Sequence, residues 1–252
     1  MKYTLITGAS SGIGRALAER FAQKGYNLII VARRTNLLSI LKKDLENKYK
    51  IKIIVFTVDL SNLQKVKKFY KNIKKYQIET FINNAGFGDV NLAWDSNIEK
   101  IEKMLDLNIK SLTILSIMFI KDNLDNDVQL INVSSTAGYS VFSAAISYSA
   151  SKIYVASWTE SVAKQLQRLN KKIKVKVLAP GATESEFNDR SLVKTKLTED
   201  KIKEYKDRAI RKSAEELADD AYKLYKSDKI LGLIVNNKLE LSDGNYPIRW
   251  FD

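Results

Sequence analysis

The chain has 252 residues, 45% of them hydrophobic, and carries 42 Lys and Arg against 29 Asp and Glu, a formal net charge of +13. Cysteine and histidine are absent, which excludes disulfides, thiol nucleophiles and the usual zinc or iron ligands, and leaves no side chain that titrates near neutrality without help from its surroundings. The longest apolar runs, such as LIIVA and ILSIMFI, are too short to span a bilayer and no secretory leader is visible, so a cytoplasmic protein with no membrane partner and no metal is expected.

The first element reads as a strand, YTLIT, and runs through a glycine turn into a helix, GRALAERFAQKG. Glycines fall at 8, 12 and 14. They permit a tight turn and close backbone approach, and the helix N-terminus offers unpaired N–H groups to a pyrophosphate. The second strand, NLIIVA, ends on Arg33 and Arg34. An acid here would bind the ribose hydroxyls of NAD; a guanidinium fork instead matches a 2′-phosphate. NADP(H) is therefore expected over NAD(H). A helix, TNLLSILKKDLENKYK, a strand, KIIVFT, and a second lysine-rich helix, LQKVKKFYKNIKKY, follow. The strand TFIN leads into Asn83 and Asn84, which can tie neighbouring strand ends together around a ligand. The long apolar stretch IEKMLDLNIKSLTILSIMFI reads as helix, and VQLINVS as a strand placing Ser134 and Ser135 at a carboxyl end of the sheet, where open α/β folds bind ligands.

Next comes ISYSASKIYVASWTESVAKQL, a helix with Tyr148 four residues ahead of Lys152. Such a pair shares one helix face. A nearby cation favours the phenolate and lowers a tyrosine pKa by about 1–3 units, which makes the tyrosine a usable acid and base near neutral pH. The same spacing recurs at Tyr70 and Lys74 and at Tyr222 and Lys226, both read as solvated helix faces. The chain closes with KVKVLAP, a polar segment over 182–212, and a last strand through LGLIVNN. The polar segment fits either an active-site lid or a surface helical hairpin.

Strands this short and this apolar are covered on both faces, and their alternation with helices predicts an α/β fold with a doubly wound parallel sheet in a single domain over 1–252. Lysines recur along the whole chain, with acids mixed into some of the runs, and no nucleic-acid-binding module accompanies them. They read as a solvated surface and not as a nucleic-acid site.

Taken together and in this order, TGASSGIG, NNAG, a serine thirteen residues before the tyrosine, and YSASK resemble the short-chain dehydrogenase/reductase family over about residues 2 to 185. The resemblance implies a Rossmann-type fold and an NADP(H)-dependent oxidoreductase that interconverts a small-molecule carbonyl and alcohol. It implies roles as follows. Tyr148 exchanges a proton with the substrate oxygen. Lys152 lowers the tyrosine pKa and binds the nicotinamide ribose. Ser135 hydrogen-bonds the carbonyl, and Asn108 holds a water in the proton relay. Gly8, Ser10, Ser11, Gly12, Ile13 and Gly14 line the pyrophosphate. Asp59 and Leu60 meet the adenine, Asn84, Ala85 and Gly86 the adenosine side, and Pro180, Gly181 and Thr183 the nicotinamide. Ser111 stands where many members have glycine, and no basic residue lies in the glycine turn, so phosphate recognition rests on Arg33 and Arg34.

The alternative is a nucleotide-binding sensor or scaffold without turnover; the intact set Asn108, Ser135, Tyr148 and Lys152 favours an enzyme. Phe87, Tyr139, Phe142 and Phe187 fall in segments expected to ring the substrate pocket. The stretches 101–120 and 146–166 are apolar on more than one face and need a second covering surface. Family members pair through these helices, so a homodimer or homotetramer is expected. The tail GNYPIRWFD is the other candidate cover.

Overall fold

In β1 (Lys2–Thr7), successive side chains point to opposite faces of the sheet. Leu5 packs into one apolar layer and Ile6 into the other. The same alternation holds at Ile29 and Ile30 in β2 (Asn27–Ala32) and at Phe81 and Ile82 in β4 (Gln77–Asn83). Burial on both faces is why these strands carry no polar stripe.

A computed structural model describes residues 1–140, 142–193, 195–200, 202–203 and 212–244. With β3 (Ile53–Thr57), β5 (Gln129–Val133), β6 (Lys174–Ala179), β7 (Leu231–Val235) and β8 (Lys238–Ser242), the strands form one eight-stranded sheet in the order β3-β2-β1-β4-β5-β6-β7-β8. All pairings are parallel except β7 with β8. This is a doubly wound Rossmann-type sheet, and the order reverses direction between β1 and β4.

Helices α1 (Gly12–Gln23), α2 (Thr35–Tyr49) and α8 (Ala214–Lys226) cover one face; Leu17, Phe21, Leu38 and Leu224 pack there. Helices α3 (Leu63–Ile73), α5 (Leu112–Asn123) and α6 (Ile146–Arg168) cover the other, with Phe69, Leu115 and Leu166.

Three features depart from the sequence reading. The last strand stops at Val235, and Asn236 and Asn237, both with positive φ (47° and 59°), turn the chain back into an antiparallel edge strand, β8. Two consecutive left-handed residues define the hairpin turn whose twist suits paired strands. The long apolar helix is divided: α4 (Ile98–Leu105) meets α5 through a π-helical turn, Asp106–Ser111. Over 182–212 the described residues hold a short helix, α7 (Phe187–Ser191), and a single bridge from Thr183 to Lys212. Residues 194, 201 and 204–211 of that segment and the tail 245–252 lie outside the described residues.

Candidate active site

The carboxyl ends of β1 and β4 are lashed together at the switch point. Thr7 Oγ1 accepts from the backbone N–H of Asn84 and of Ala85, both at 3.0 Å, and the Asn84 amide donates to Thr7 O at 2.8 Å. This opens the crevice into which the glycine turn folds. Gly8 sits at φ 74°, and a side chain there would strike Asn84. A Cβ on Gly14 would lie 2.3 Å from Gly8 O, so only glycine lets α1 start this close to β1. The α1 N-terminus receives no capping side chain and has no acid in its first turn. Its N–H groups and positive end therefore face the crevice without an internal partner of opposite charge.

The loop after β5 and the start of α6 are joined through small polar residues. Ser149 Oγ donates to Ala137 O (2.7 Å) and Ser134 Oγ to Lys152 O (2.7 Å). A Cβ on Gly138 would lie 2.5 Å from Ser134 Oγ. This is the reason for serines and alanine around Tyr148: the helix must approach the loop backbone closely. Tyr148 is the third residue of α6 and is half-buried. Lys152 is 4% exposed, donates from Nζ to Val133 O at 2.9 Å, and holds its ammonium 5.8 Å from the Tyr148 ring centre. Burial pushes the Lys152 ammonium down to about 8. Ser135 Oγ accepts from Ala137 N–H at 3.2 Å and donates to Pro180 O at 3.4 Å. Asn108 is fully buried in the π-helical turn. Its amide exchanges hydrogen bonds with the Phe87 backbone (3.2 and 3.0 Å) and donates to Ser151 Oγ at 3.1 Å.

A cavity of about 1110 Å³ runs along these strand ends. Every catalytic and cofactor-binding residue expected from the sequence lines it except Asn108, which stands behind the wall. At the far end Arg33 is exposed, while Arg34 is drawn in: its guanidinium donates to Ser10 Oγ (3.1 Å), Ser11 Oγ (2.7 Å) and Glu186 Oε2 (3.0 Å). Burial alone would raise the Asp59 carboxyl. Hydrogen bonds from the Ser61 side chain and backbone, with the nearby Arg33 charge, outweigh this and hold it below the usual range.

Some expectations are corrected. Tyr139 does not line the cavity; its hydroxyl donates to the buried Glu160 at 2.5 Å. Phe87, Phe142 and Phe187 do line it. Tyr70 is not on a solvated face: it is 4% exposed and donates to Asp122 at 2.9 Å. Tyr222 is half-buried and packs edge-on against Phe21.

Several contacts around the site escaped the sequence reading. The Phe187 ring lies 5.3 Å from that of Tyr148, seated where a Cβ on Gly88 would reach within 2.9 Å of it. Lys100 pairs with the buried Asp89 at 2.8 Å and donates to the carbonyls of Ser191 and Val193. A buried polar chain runs from Asn83 through Ser116 and Asn132 to Thr159, tying β4, α5, β5 and α6 together. Asn132 was the visible signal, a polar residue inside an otherwise apolar strand.

A glycine turn at the head of a crossing sheet and a Tyr–Lys helix facing it across one cavity define a dinucleotide-dependent oxidoreductase class. The sequence model described as short chain dehydrogenase matches residues 2–196, and the chain belongs to that family. A relative, the NADP-dependent 3-hydroxy acid dehydrogenase of Schizosaccharomyces pombe, is 30% identical over 196 residues, 74% of this chain and 73% of its own. A short-chain dehydrogenase from Sphingobium yanoikuyae in complex with NADPH superposes with TM-score 0.79 at 25% identity, covering 92% of this chain and 86% of that one. One from Burkholderia phymatum in complex with NAD gives TM-score 0.81 at 22% identity, covering 91% and 88%. The protein is an oxidoreductase of this family acting on CH–OH groups. No described helix is long and apolar enough to cross a membrane.

Proposed function

We propose that the protein is an NADP(H)-dependent carbonyl/alcohol oxidoreductase in which Tyr148 donates and accepts the proton. The observation that carries this is the Tyr148–Lys152 pair at the head of α6, opening into the same cavity as the glycine turn and Arg34. The residues present fit a dinucleotide: the glycine turn is a cradle that side chains would fill, and an uncapped helix end faces it. When bound, the nicotinamide cofactor supplies or takes the hydride. The protein's own work is to bind, orient and move the proton. Gly8, Gly12, Gly14 and the α1 N-terminus hold the pyrophosphate. Arg34 and Arg33 hold the 2′-phosphate. Asp59 and Leu60 flank the adenine. Lys152 holds the nicotinamide ribose, and its charge favours the phenolate. Ser135 orients the substrate oxygen toward Tyr148, and Asn108 fixes the Phe87 backbone beside them. Within the 182–212 segment taken as the lid, the described residues 182–193 and 195–200 border the cavity, whose substrate wall carries Phe87, Phe142 and Phe187.

Support for NADP over NAD comes from the arginines at the end of β2 and from the NADPH-bound and NADP-dependent relatives. The same fold also holds NAD in the Burkholderia phymatum protein, so side chains and not topology carry the choice. The test is fluorescence titration with both cofactors. NADPH binds more tightly than NADH, and Arg33→Asp and Arg34→Ala lower the ratio; equal affinities, or a preference for NADH, overturn the reading. A screen of aldehydes, ketones, sugars and hydroxy acids by NADPH oxidation then identifies the substrate. The same proposal includes a cytoplasmic setting and a homodimer or homotetramer formed through α5 and α6.

A further inference from the structure

All three nitrogens of the Arg34 guanidinium are engaged. Nε and one terminal nitrogen face Ser10 Oγ, the same terminal nitrogen reaches Ser11 Oγ, and the other is paired with Glu186. The two kinds of partner differ in chemistry. A serine hydroxyl that accepts from arginine can also donate to a phosphate oxygen. A carboxylate is acceptor-only and repels a phosphate. A 2′-phosphate that took the fork of Arg34 would thus be helped by Ser10 and Ser11 and opposed by Glu186. The Glu186 side chain is 51% exposed and Arg34 34%, so the pair stands at the solvent edge of the cavity. Glu186 also lines the cavity. Ser185 next to it rests on the glycine turn, where a Cβ on Gly12 would come within 2.8 Å of the Ser185 Cβ. Phe187 on its other side lies against Tyr148.

We infer that Glu186 sets cofactor selectivity by competing with the 2′-phosphate for Arg34, a lid carboxylate holding the phosphate-binding guanidinium until the cofactor displaces it. The inference rests on the NADP reading above and adds a residue to it. Glu186 acts through Arg34 and is a positioning residue. The effect is a ratio: it opposes only ligands that carry the 2′-phosphate.

The experiment measures dissociation constants of NADPH, NADH, 2′,5′-ADP and 5′-ADP for the full chain and for Glu186→Gln and Glu186→Asp. An exposed ion pair sets the scale, so Glu186→Gln tightens NADPH and 2′,5′-ADP by about 2–5-fold. NADH and 5′-ADP stay unchanged. Glu186→Asp keeps the wild-type ratio, and raising salt narrows the gap between wild type and Glu186→Gln. Equal tightening of all four ligands, no tightening, or weaker NADPH binding overturns the inference. If wild type prefers NADPH and Arg34→Ala lowers that preference while Glu186→Gln leaves it unmoved, only this inference fails. If wild type shows no preference for NADPH, the NADP reading fails and this inference falls with it.

Discussion

At the scale of single residues the proposed chemistry depends on one phenol oxygen. Two features favour charge on it, the Lys152 ammonium on the same helix face and the positive end of α6 two residues behind it, while the Phe187 ring against it excludes water and opposes that charge. The first is conditional, because burial brings Lys152 down to about 8. Tyr148→Phe removes the oxygen but keeps the ring that Phe187 packs on, so fold and cofactor binding survive. Turnover on the substrate found by the screen falls by about 10²–10⁴, the typical worth of a positioned acid or base. Lys152→Ala loses turnover and also weakens cofactor binding, because in the proposed mechanism the lysine holds the ribose. Near-full activity of Tyr148→Phe would show that another group delivers the proton.

At the scale of elements, legibility followed burial. The parallel strands were readable because both faces are covered, so each is a short run of apolar residues. Strand β8, KLELS, is half-exposed at the sheet edge and pairs only with β7, so its pattern is mostly polar. The π-helical turn left no trace, since a change of helical period over six residues is too short for a periodic signal. Tyr70 was misread although Val66, Phe69, Tyr70 and Ile73 form the apolar face of α3; the phenol was counted as polar, whereas its ring is core and only its hydroxyl needs a partner. The segment after β6 is held by side chains bonded to backbone, Lys100 to Ser191 and Val193 and Thr195 to Val90. Such bonds follow no sequence period.

Lys176 was likewise hidden inside a strand. It is 2% exposed and donates to the carbonyls of Leu224, Tyr225 and Ser227 at 2.9, 3.1 and 2.5 Å, capping the C-terminus of α8. A cation suits that end of a helix. Lys176→Met removes this shared donor, leaving Leu224 O its bonds from Ser227 N–H and Oγ, and destabilises the fold by about 1–3 kcal/mol, read as a lower denaturant midpoint at pH 7. An unchanged midpoint would mean the cap contributes nothing.

The same lysine predicts a pH dependence. Burial, with a smaller push from Lys174, lowers Lys176 to about 8, as burial does for Lys152. Below pH 8 both lysines are charged in the folded and unfolded chain, and the cost of burying the charge is borne in full. Between pH 8 and about 10 the unfolded chain holds more protons than the folded one, so stability rises with pH. Above that, Tyr26, raised by burial to about 12, holds its proton in the folded state alone, and stability falls. Lys176→Met shrinks the rise. A stability profile flat from pH 7 to 10 would contradict it.

At the scale of the whole molecule, charge and apolar surface pull in opposite directions. Each copy carries +13, and two such copies repel at low salt. Against this, the outer faces of α5 and α6 present Ile117 at 39% and Tyr154 at 36% exposure, with the Tyr154 hydroxyl linked to Thr113 across the two helices at 3.2 Å. Their inner faces already cover the sheet, so this outer surface is what a second copy would bury. We predict a dimer or tetramer by sedimentation at micromolar concentration, and a monomer for Ile117→Glu with cofactor binding intact. Salt gives the sharper test. Screening weakens the repulsion between like-charged copies while leaving apolar burial in place, so association strengthens as ionic strength rises. Binding of the same basic surface to nucleic acid would do the opposite and weaken steeply with salt. A wild-type chain that sediments as a monomer at every ionic strength would show that α5 and α6 are not an interface between copies.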